Sequence, residues 1–425
     1  MTKAATLLAV LATALLSFAA SADAAKGTKA HGSPQPAVAK DLAPPSLPVT
    51  GAALLAAGSQ TPLWSVNGNA ELPIASTTKM MTALVVLQHV KDLNTVYTQN
   101  DWRAQAGDSQ IGLVPGETMT VRDLLTAMLL PSADDAAEDL AYNVGGGSVT
   151  RFVAMMNADA RALGLRHTHY TTPSGLDTPG NYSSPDDLDR LGDYMMRNWP
   201  FFRATVGLTS ATLESGRYVR HVVTTDDLVA DDPWIHGIKT GHTDEAGYVL
   251  VSEGTRGGLT LIASVLGTDS ESQRDASALA LLDWGFSEYQ LVRPVRKGEA
   301  FARPSVPYEV QPALVVAERG YQTVVARSVR VRVVVGKLRA LAGPMAKGTV
   351  VGHVSVLVRG RPTVRIPLVL ARRLKAVSIW TKVGHRIKRP FTLLLLALLL
   401  GGAAAAVFGR RRRPRVLAAG RLEER

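Results

Sequence analysis

The sequence predicts an α/β chain of the α+β kind. It has a mixed domain with an antiparallel sheet and a group of helices, a small all-β domain, and a C-terminal transmembrane helix. Three observations lead there. Between residues 49 and 286, strand-like runs bracket a block of helical ones. After Tyr289 helical periodicity stops and short alternating stretches take over. Near the end, Phe391 to Phe408 is an apolar run without a charge.

Met1-Thr2-Lys3, an Ala/Leu/Val run to about Ala20 and the small residues Ser21 to Ala24 read as a secretory signal over 1–24, with cleavage after Ala22 or Ala24. An uncleaved anchor is the alternative, though the apolar core is short for a span. Residues 25–48 hold Pro34, Pro36, Pro44, Pro45 and Pro48 and read as a linker. In the mixed domain, 49–286, Val49 to Ala57 reads as a strand and Thr77 to Val90 as a buried helix, apolar except Lys79, Gln88 and His89. Two more helices follow, Val121 to Leu130 and Asp134 to Val144, parted by Pro131. Trp234 to Thr240, Tyr248 to Glu253 and Leu259 to Leu266 read as strands, the last two a hairpin. Glu271 to Phe286 reads as a helix. In the β domain, 290–380, the stretches are Val329 to Val335, Val350 to Val358 and Thr363 to Leu370.

The run 391–408 would reach about 27 Å as a helix, enough to cross the hydrocarbon core. Arg410 to Arg413 and Arg415 follow it, so the tail 409–425 is expected on the cytoplasmic side; Lys388 and Arg389 flank the other end. The expected topology is single-pass at the cell membrane, with the mixed domain outside the cytoplasm. The net charge of +11 divides accordingly: residues 1–285 hold 19 Lys/Arg and 30 Asp/Glu, net −11, and residues 286–425 hold 28 and 6, net +22. This distribution marks a basic membrane-proximal half, and nucleic acid is excluded as a partner. With no cysteine there is no thiolate nucleophile, disulfide or Cys-based metal site.

Ser76-Thr77-Thr78-Lys79 opens the apolar helix. A hydroxyl at the positive end of a helix, with an amine one turn on, sets a nucleophile beside a base. Lys239-Thr240-Gly241 ends a strand: an ammonium and a hydroxyl there can hold a carboxylate, and glycine admits a backbone closely. Each motif alone is common by chance. Their order and spacing, with Ser132 between them, resemble the penicillin-recognising serine enzymes, and among these the low-molecular-mass penicillin-binding proteins that are D-alanyl-D-alanine carboxypeptidases. The supporting segments are Pro73 to Leu84 (PIASTTKMMTAL), Thr120 to Ala137, Thr172 to Asp187 and Gly237 to Tyr248 (GIKTGHTDEAGY).

The resemblance implies a β-lactamase/transpeptidase-like fold for 49–286 and the removal of the terminal D-alanine from peptidoglycan stem peptides through an acyl-enzyme, with β-lactams also bound. It implies no cofactor and no metal. Ser76 would be the nucleophile, Lys79 its base and Ser132 a proton relay. Lys239 and Thr240, with Gly241 beside them, would bind the terminal carboxylate. The amides of Ser76 and His242 would form the oxyanion hole. One departure stands out. The family's second motif is Ser-x-Asn, and here it is Ser132-Ala133-Asp134. An ionised Asp134 only accepts hydrogen bonds. If it takes the Asn position it pairs with Lys79 and holds it protonated, against base catalysis. An active but slowed or pH-shifted enzyme is expected, with Asp134→Asn faster.

Two rival readings stand beside this one. A β-lactamase is opposed by the anchor, the β domain and the lack of a Glu-x-x-x-Asn segment. A catalytically weakened wall-associated scaffold has Asp134 as its support. The pair His167 and His169 lacks a third metal ligand, and Asp186, Asp187 and Asp189 read as a helix start. Arg327, Arg330, Arg332, Arg359, Arg361, Arg365, Arg372 and Arg373 are expected to face anionic lipid or wall polymer.

Overall fold

The computed structural model describes residues 42–410, apart from 104, 106, 310, 381, 382 and 384–389. The expected signal 1–24, most of the linker and residues 411–425 of the tail lie outside the described residues.

Strands β1 (Gly51–Ala56), β2 (Trp64–Val66), β7 (Ile235–Thr243), β8 (Gly247–Arg256) and β9 (Leu259–Thr268) form one antiparallel sheet in the order β2-β1-β9-β8-β7. Alternation along β9 explains why it is buried on both faces. Leu261, Ala263 and Val265 pack with Leu281 and Leu282 of α8 (Glu271–Glu288). Ile262 and Leu266 share a core with Leu188, Leu191 and Met195 of α5 (Pro185–Asn198) on the other face. A sheet covered on both sides has no solvent face, so its strands read as continuous apolar runs.

The helical group is built on α1 (Lys79–His89), entered through a 3-10 turn at Ala75–Thr78. Around it pack α2 (Val121–Leu129), α3 (Asp134–Val144), α4 (Val149–Ala162) and α5. Enclosed on every side from Lys79 to Val86, α1 is largely apolar there: Met80, Met81, Leu84, Val85 and Val86 have no exposure. Hydroxyl caps start four helices, with Thr120, Ser148, Ser184 and Ser270 each accepting from the amide three residues on. The group is completed by α6 (Pro200–Val206), α7 (Asp227–Asp231) and two short hairpins. These are β3 (Val96–Thr98) with β4 (Thr118–Thr120), and β5 (Ser210–Leu213) with β6 (Arg220–Val223).

From α8 the chain runs directly into β10 (Tyr289–Val295), which pairs with β13 (Tyr321–Ala326). The remaining strands are β11 (Ala300–Ala302), β12 (Val315–Ala317), β14 (Val331–Val335), β15 (Val350–Val358) and β16 (Val364–Leu370). They make a second antiparallel sheet, β11-β12-β16-β15-β14, around Val315, Val354, Val356, Ile366 and Leu368. Three of the arginines expected to face anions serve the protein itself. Arg327 donates to the carbonyls of Ser287 (2.8 Å) and Phe286 (3.0 Å), Arg361 to Thr323 Oγ1 (3.0 Å) and Arg372 to Gln311 O (3.0 Å). Arg330, Arg332, Arg359, Arg365 and Arg373 are exposed.

The C-terminal apolar run forms a helix, α9 (Pro390–Arg410, 21 residues), with side chains described over residues 393–405. Among the described residues no helix is long and apolar enough to cross a membrane.

Candidate active site

Ser76 lies in the 3-10 turn that leads into α1, rather than in the α-helix itself. In a 3-10 turn the side chains at i and i+3 eclipse, which aligns Ser76 with Lys79. Lys79 Nζ donates to Ser76 Oγ at 2.7 Å. Its other contacts are Asp134 Oδ1 at 2.6 Å and the Ser174 carbonyl at 2.9 Å. Three acceptors surround a nitrogen with no solvent exposure, matching the three donors of an ammonium. Ser76 itself is half-buried, so its hydroxyl can meet a substrate.

Asp134 begins α3, where the helix dipole favours a carboxylate. It is buried, and Ser109 holds it twice: the Asp134 amide donates to Ser109 O (2.7 Å), and the Ser109 amide donates to Asp134 Oδ2 (3.1 Å). The expected Lys79–Asp134 pair is therefore present. Two residues earlier, Ser132 has φ +65° and a buried Oγ that bonds no described group. A left-handed backbone at a non-glycine residue stores about 1–3 kcal/mol of strain and clusters at functional sites.

Strand β7 forms the opposite wall. Lys239 is almost wholly buried and donates to Thr240 O at 3.0 Å. Burial, followed by the charge of Lys79, lowers its pKa to about 7, against opposing pulls from Asp226 and Asp134. Thr240 Oγ1 shares a 2.5 Å hydrogen bond with Thr225 Oγ1. A Cβ at Gly241 would lie 2.9 Å from Ser76 N and 3.0 Å from Ala75 Cβ, so glycine lets the strand press against the nucleophile's turn. His242 is exposed and stacks on Tyr248 with ring centroids 4.1 Å apart.

Three contributors were not legible as site residues. The Ser174 carbonyl holds Lys79, the Ser109 backbone holds Asp134, and Glu138 accepts from Ser174 Oγ at 3.1 Å. The quoted segment Thr172 to Asp187 contained Ser174, but a carbonyl's role has no residue-type signature. A Cβ at Gly175 would lie 2.0 Å from Ala75 O, so this segment also needs glycine to close on the turn.

The remaining candidates fall elsewhere. His169 bridges Tyr182 and bonds Gly180 O, and His167 Nδ1 lies 3.6 Å from Glu71. Asp186, Asp187 and Asp189 sit in the first turns of α5, where Asp187 pairs with Arg190 at 2.6 Å. Among the described residues no three His, Cys, Asp or Glu side chains converge as a metal site.

The assembled groups are a hydroxyl against an amine, a second hydroxyl on strained backbone, and a cationic strand edge. They suit acyl transfer from a substrate carrying a carboxylate. Residues 40–270 match a peptidase family, S11, described as D-alanyl-D-alanine carboxypeptidase. The chain is 32% identical over 333 residues to D-alanyl-D-alanine carboxypeptidase DacA of Escherichia coli, covering 75% of this chain and 81% of that protein. It is 39% identical over 224 residues to the carboxypeptidase DacB2 of Mycobacterium tuberculosis, covering 52% of this chain and 76% of that one. Among solved structures, penicillin-binding protein 5 of Haemophilus influenzae superposes with a TM-score of 0.62 at 27% identity, covering 79% of this chain and 99% of that one. The Streptomyces K15 DD-transpeptidase superposes with a TM-score of 0.55 at 33% identity, over 58% of this chain and all of that one.

Proposed function

The chain belongs to the D-alanyl-D-alanine carboxypeptidase family, and from that membership we propose how its residues share the work and where in the cell they do it. The protein is a serine-type D-Ala-D-Ala carboxypeptidase that binds penicillin. Its substrate is the D-Ala-D-Ala end of a peptidoglycan stem peptide. The observation that carries the assignment of roles is the 2.7 Å contact between Ser76 Oγ and Lys79 Nζ.

Ser76 Oγ attacks the carbonyl of the penultimate D-alanine, and its proton passes to Lys79. The amides of Ser76 and His242 receive the oxyanion. The Lys239 ammonium and the Thr240 hydroxyl hold the terminal carboxylate. As the C–N bond breaks, Lys79 returns the proton through Ser132 to the departing amine. Water then hydrolyses the Ser76 ester. No step needs a metal or cofactor.

Asp134 changes the start of this cycle. To accept a proton, Lys79 must first give one up, and among the described residues the carboxylate that bonds it is Asp134. A Lys79–Asp134 pair of zero net charge can rearrange to a neutral amine and a carboxylic acid. Lys79 then takes the Ser76 proton while Asp134 keeps the one it received. The rearrangement costs free energy, so the enzyme is active but slowed. This is the specific observation that favours the weakened-scaffold reading as the second one.

The signal-like run over 1–24, the apolar run over 391–408 and the arginines beyond it are the sequence features that support a single-pass protein of the cell membrane with its catalytic domain outside the cytoplasm. The test of function is release of D-alanine from a stem pentapeptide by the purified protein, together with labelling by a fluorescent penicillin. Release and labelling that both vanish in Ser76→Ala support the carboxypeptidase. Fast label turnover without D-alanine release marks a β-lactamase, and neither activity marks a scaffold.

A further inference from the structure

We propose that Thr225 is a positioning residue of the carboxylate site: its hydroxyl donates to Thr240 Oγ1 and so turns the Thr240 proton toward the substrate. The inference rests on the reading of Thr240 given above.

Thr225 lies on the segment between β6 and α7. Its amide donates to Leu130 O at 3.2 Å, just past the end of α2 and two residues before Ser132. Its Oγ1 lies 2.5 Å from Thr240 Oγ1 and 3.4 Å from the same Leu130 carbonyl. Thr225 therefore ties the turn that carries Ser132 to the strand that carries Lys239 and Thr240. Its neighbours hold it there: the Thr224 amide donates to Thr209 O at 2.9 Å, and the Asp226 amide to Thr224 Oγ1 at 3.1 Å. Thr240 is fixed by the pairing of β7 with β8, where it stands opposite Leu250. Thr240 is 4% exposed, whereas Thr225 is exposed.

A hydroxyl has one proton, and that limits what the pair can do. If Thr240 donates to Thr225, its proton is taken up within the protein and an arriving carboxylate meets only lone pairs at Thr240. If Thr225 donates to Thr240, the Thr240 proton is free for the carboxylate, and the bond it makes is charge-assisted, about twice as strong as a neutral one. In donating to Thr240, Thr225 gives up only the 3.4 Å contact to Leu130 O, and that carbonyl keeps the Thr225 amide. A carboxylate therefore selects the second arrangement. The bond from Thr225 also polarises the Thr240 hydroxyl, which strengthens the bond Thr240 makes in turn. Without the Thr225 hydroxyl, the Thr240 oxygen loses this donor in a buried setting.

The test is the second-order rate of Ser76 acylation by a fluorescent penicillin, a probe that carries a carboxylate, on the full chain. The variants are Thr225→Val, which keeps the volume, Thr225→Ala, Thr225→Ser, Thr240→Val, and the double variant of Thr225→Val with Thr240→Val. Thr225 is exposed, so these changes at 225 displace no core packing; thermal melts of each variant check this. The expected result is acylation about threefold to tenfold slower in Thr225→Val and Thr225→Ala, the worth of one hydrogen bond, with the parent rate restored in Thr225→Ser. In the Thr240→Val background, Thr225→Val should change nothing further. An unchanged rate in Thr225→Val, the same fall in both backgrounds, or no rescue by Thr225→Ser overturns the proposal while the Thr240 reading stands. An unchanged rate in Thr240→Val overturns both.

Discussion

Replacing Asp134 with Asn is the perturbation that weighs most directly on how this site works. The Lys79–Asp134 contact is 2.6 Å, with side chains 0% and 4% exposed. At an effective dielectric of about 20, opposite charges at that distance attract by about 6 kcal/mol before desolvation is counted. The part that survives desolvation is the preference for the ammonium which catalysis must overcome. Asn keeps the volume without the charge: its oxygen can still accept from the Ser109 amide, while its NH2 group faces Lys79, which then bonds it only as a neutral amine that accepts. Acylation by a penicillin at pH 7 should rise, by about tenfold for each 1.4 kcal/mol of that preference removed. Stopped-flow labelling measures the rate. A rate that falls, with the fold intact by melting, would refute the claim that the carboxylate holds Lys79 back.

Three further outcomes follow from the same geometry. Asp134→Ala strands a buried ammonium and should cost about 3–5 kcal/mol of stability, visible as a lower midpoint in denaturant; an unchanged midpoint would mean the pair contributes nothing to the fold. Gly241→Ala places a methyl 2.9 Å from Ser76 N, so β7 must withdraw. Acylation should fall by tenfold or more while the melting temperature moves little, and an unaffected rate would show the close approach to be dispensable. Lys239 binds a carboxylate only when protonated, and its pKa is lowered to about 7. Above that pH the free enzyme loses the charge, so kcat/KM for an anionic peptide should decline as pH rises through 7 to 9, with the decline absent in Lys239→Gln; a flat profile for the parent would contradict this.

The parts of the fold that were legible are those where one local rule dominates. Enclosure of the sheet on both faces made β1, β8 and β9 apolar runs, and the strand bounds read from them lie within three residues of those observed. The reading of β7 stopped at Thr240, because Gly241 and His242 break the strand-forming run; pairing with Val249, Tyr248 and Gly247 extends the strand past them to Thr243. The 3-10 turn at Ala75–Thr78 was read as helix from Thr77, since the turn runs straight into α1 and no side-chain cap marks the boundary. The four-residue strands β5 and β6 carried too little pattern to be seen. In the site, the order and spacing of the motifs exposed Ser76, Lys79, Asp134 and Lys239, and the Asp134 pairing with Lys79 was anticipated from the Asn position that the resemblance assigns to it, together with its charge. The Ser174 carbonyl and the Ser109 backbone act without their side chains, and Glu138 joins them only through tertiary packing. The eight arginines divided on a similar ground: Arg327 and Arg372 reach backbone carbonyls that sequence distance hides.

The central claim is that Ser76 is the acylated residue, with Lys79 as its base. The most direct test is mass spectrometry of the full chain trapped with benzylpenicillin and digested. A penicilloyl adduct on the peptide that contains Ser76, absent in Ser76→Ala and much slower to form in Lys79→Ala, is the predicted result. An adduct on any other serine, or its undiminished formation without Lys79, would contradict the account.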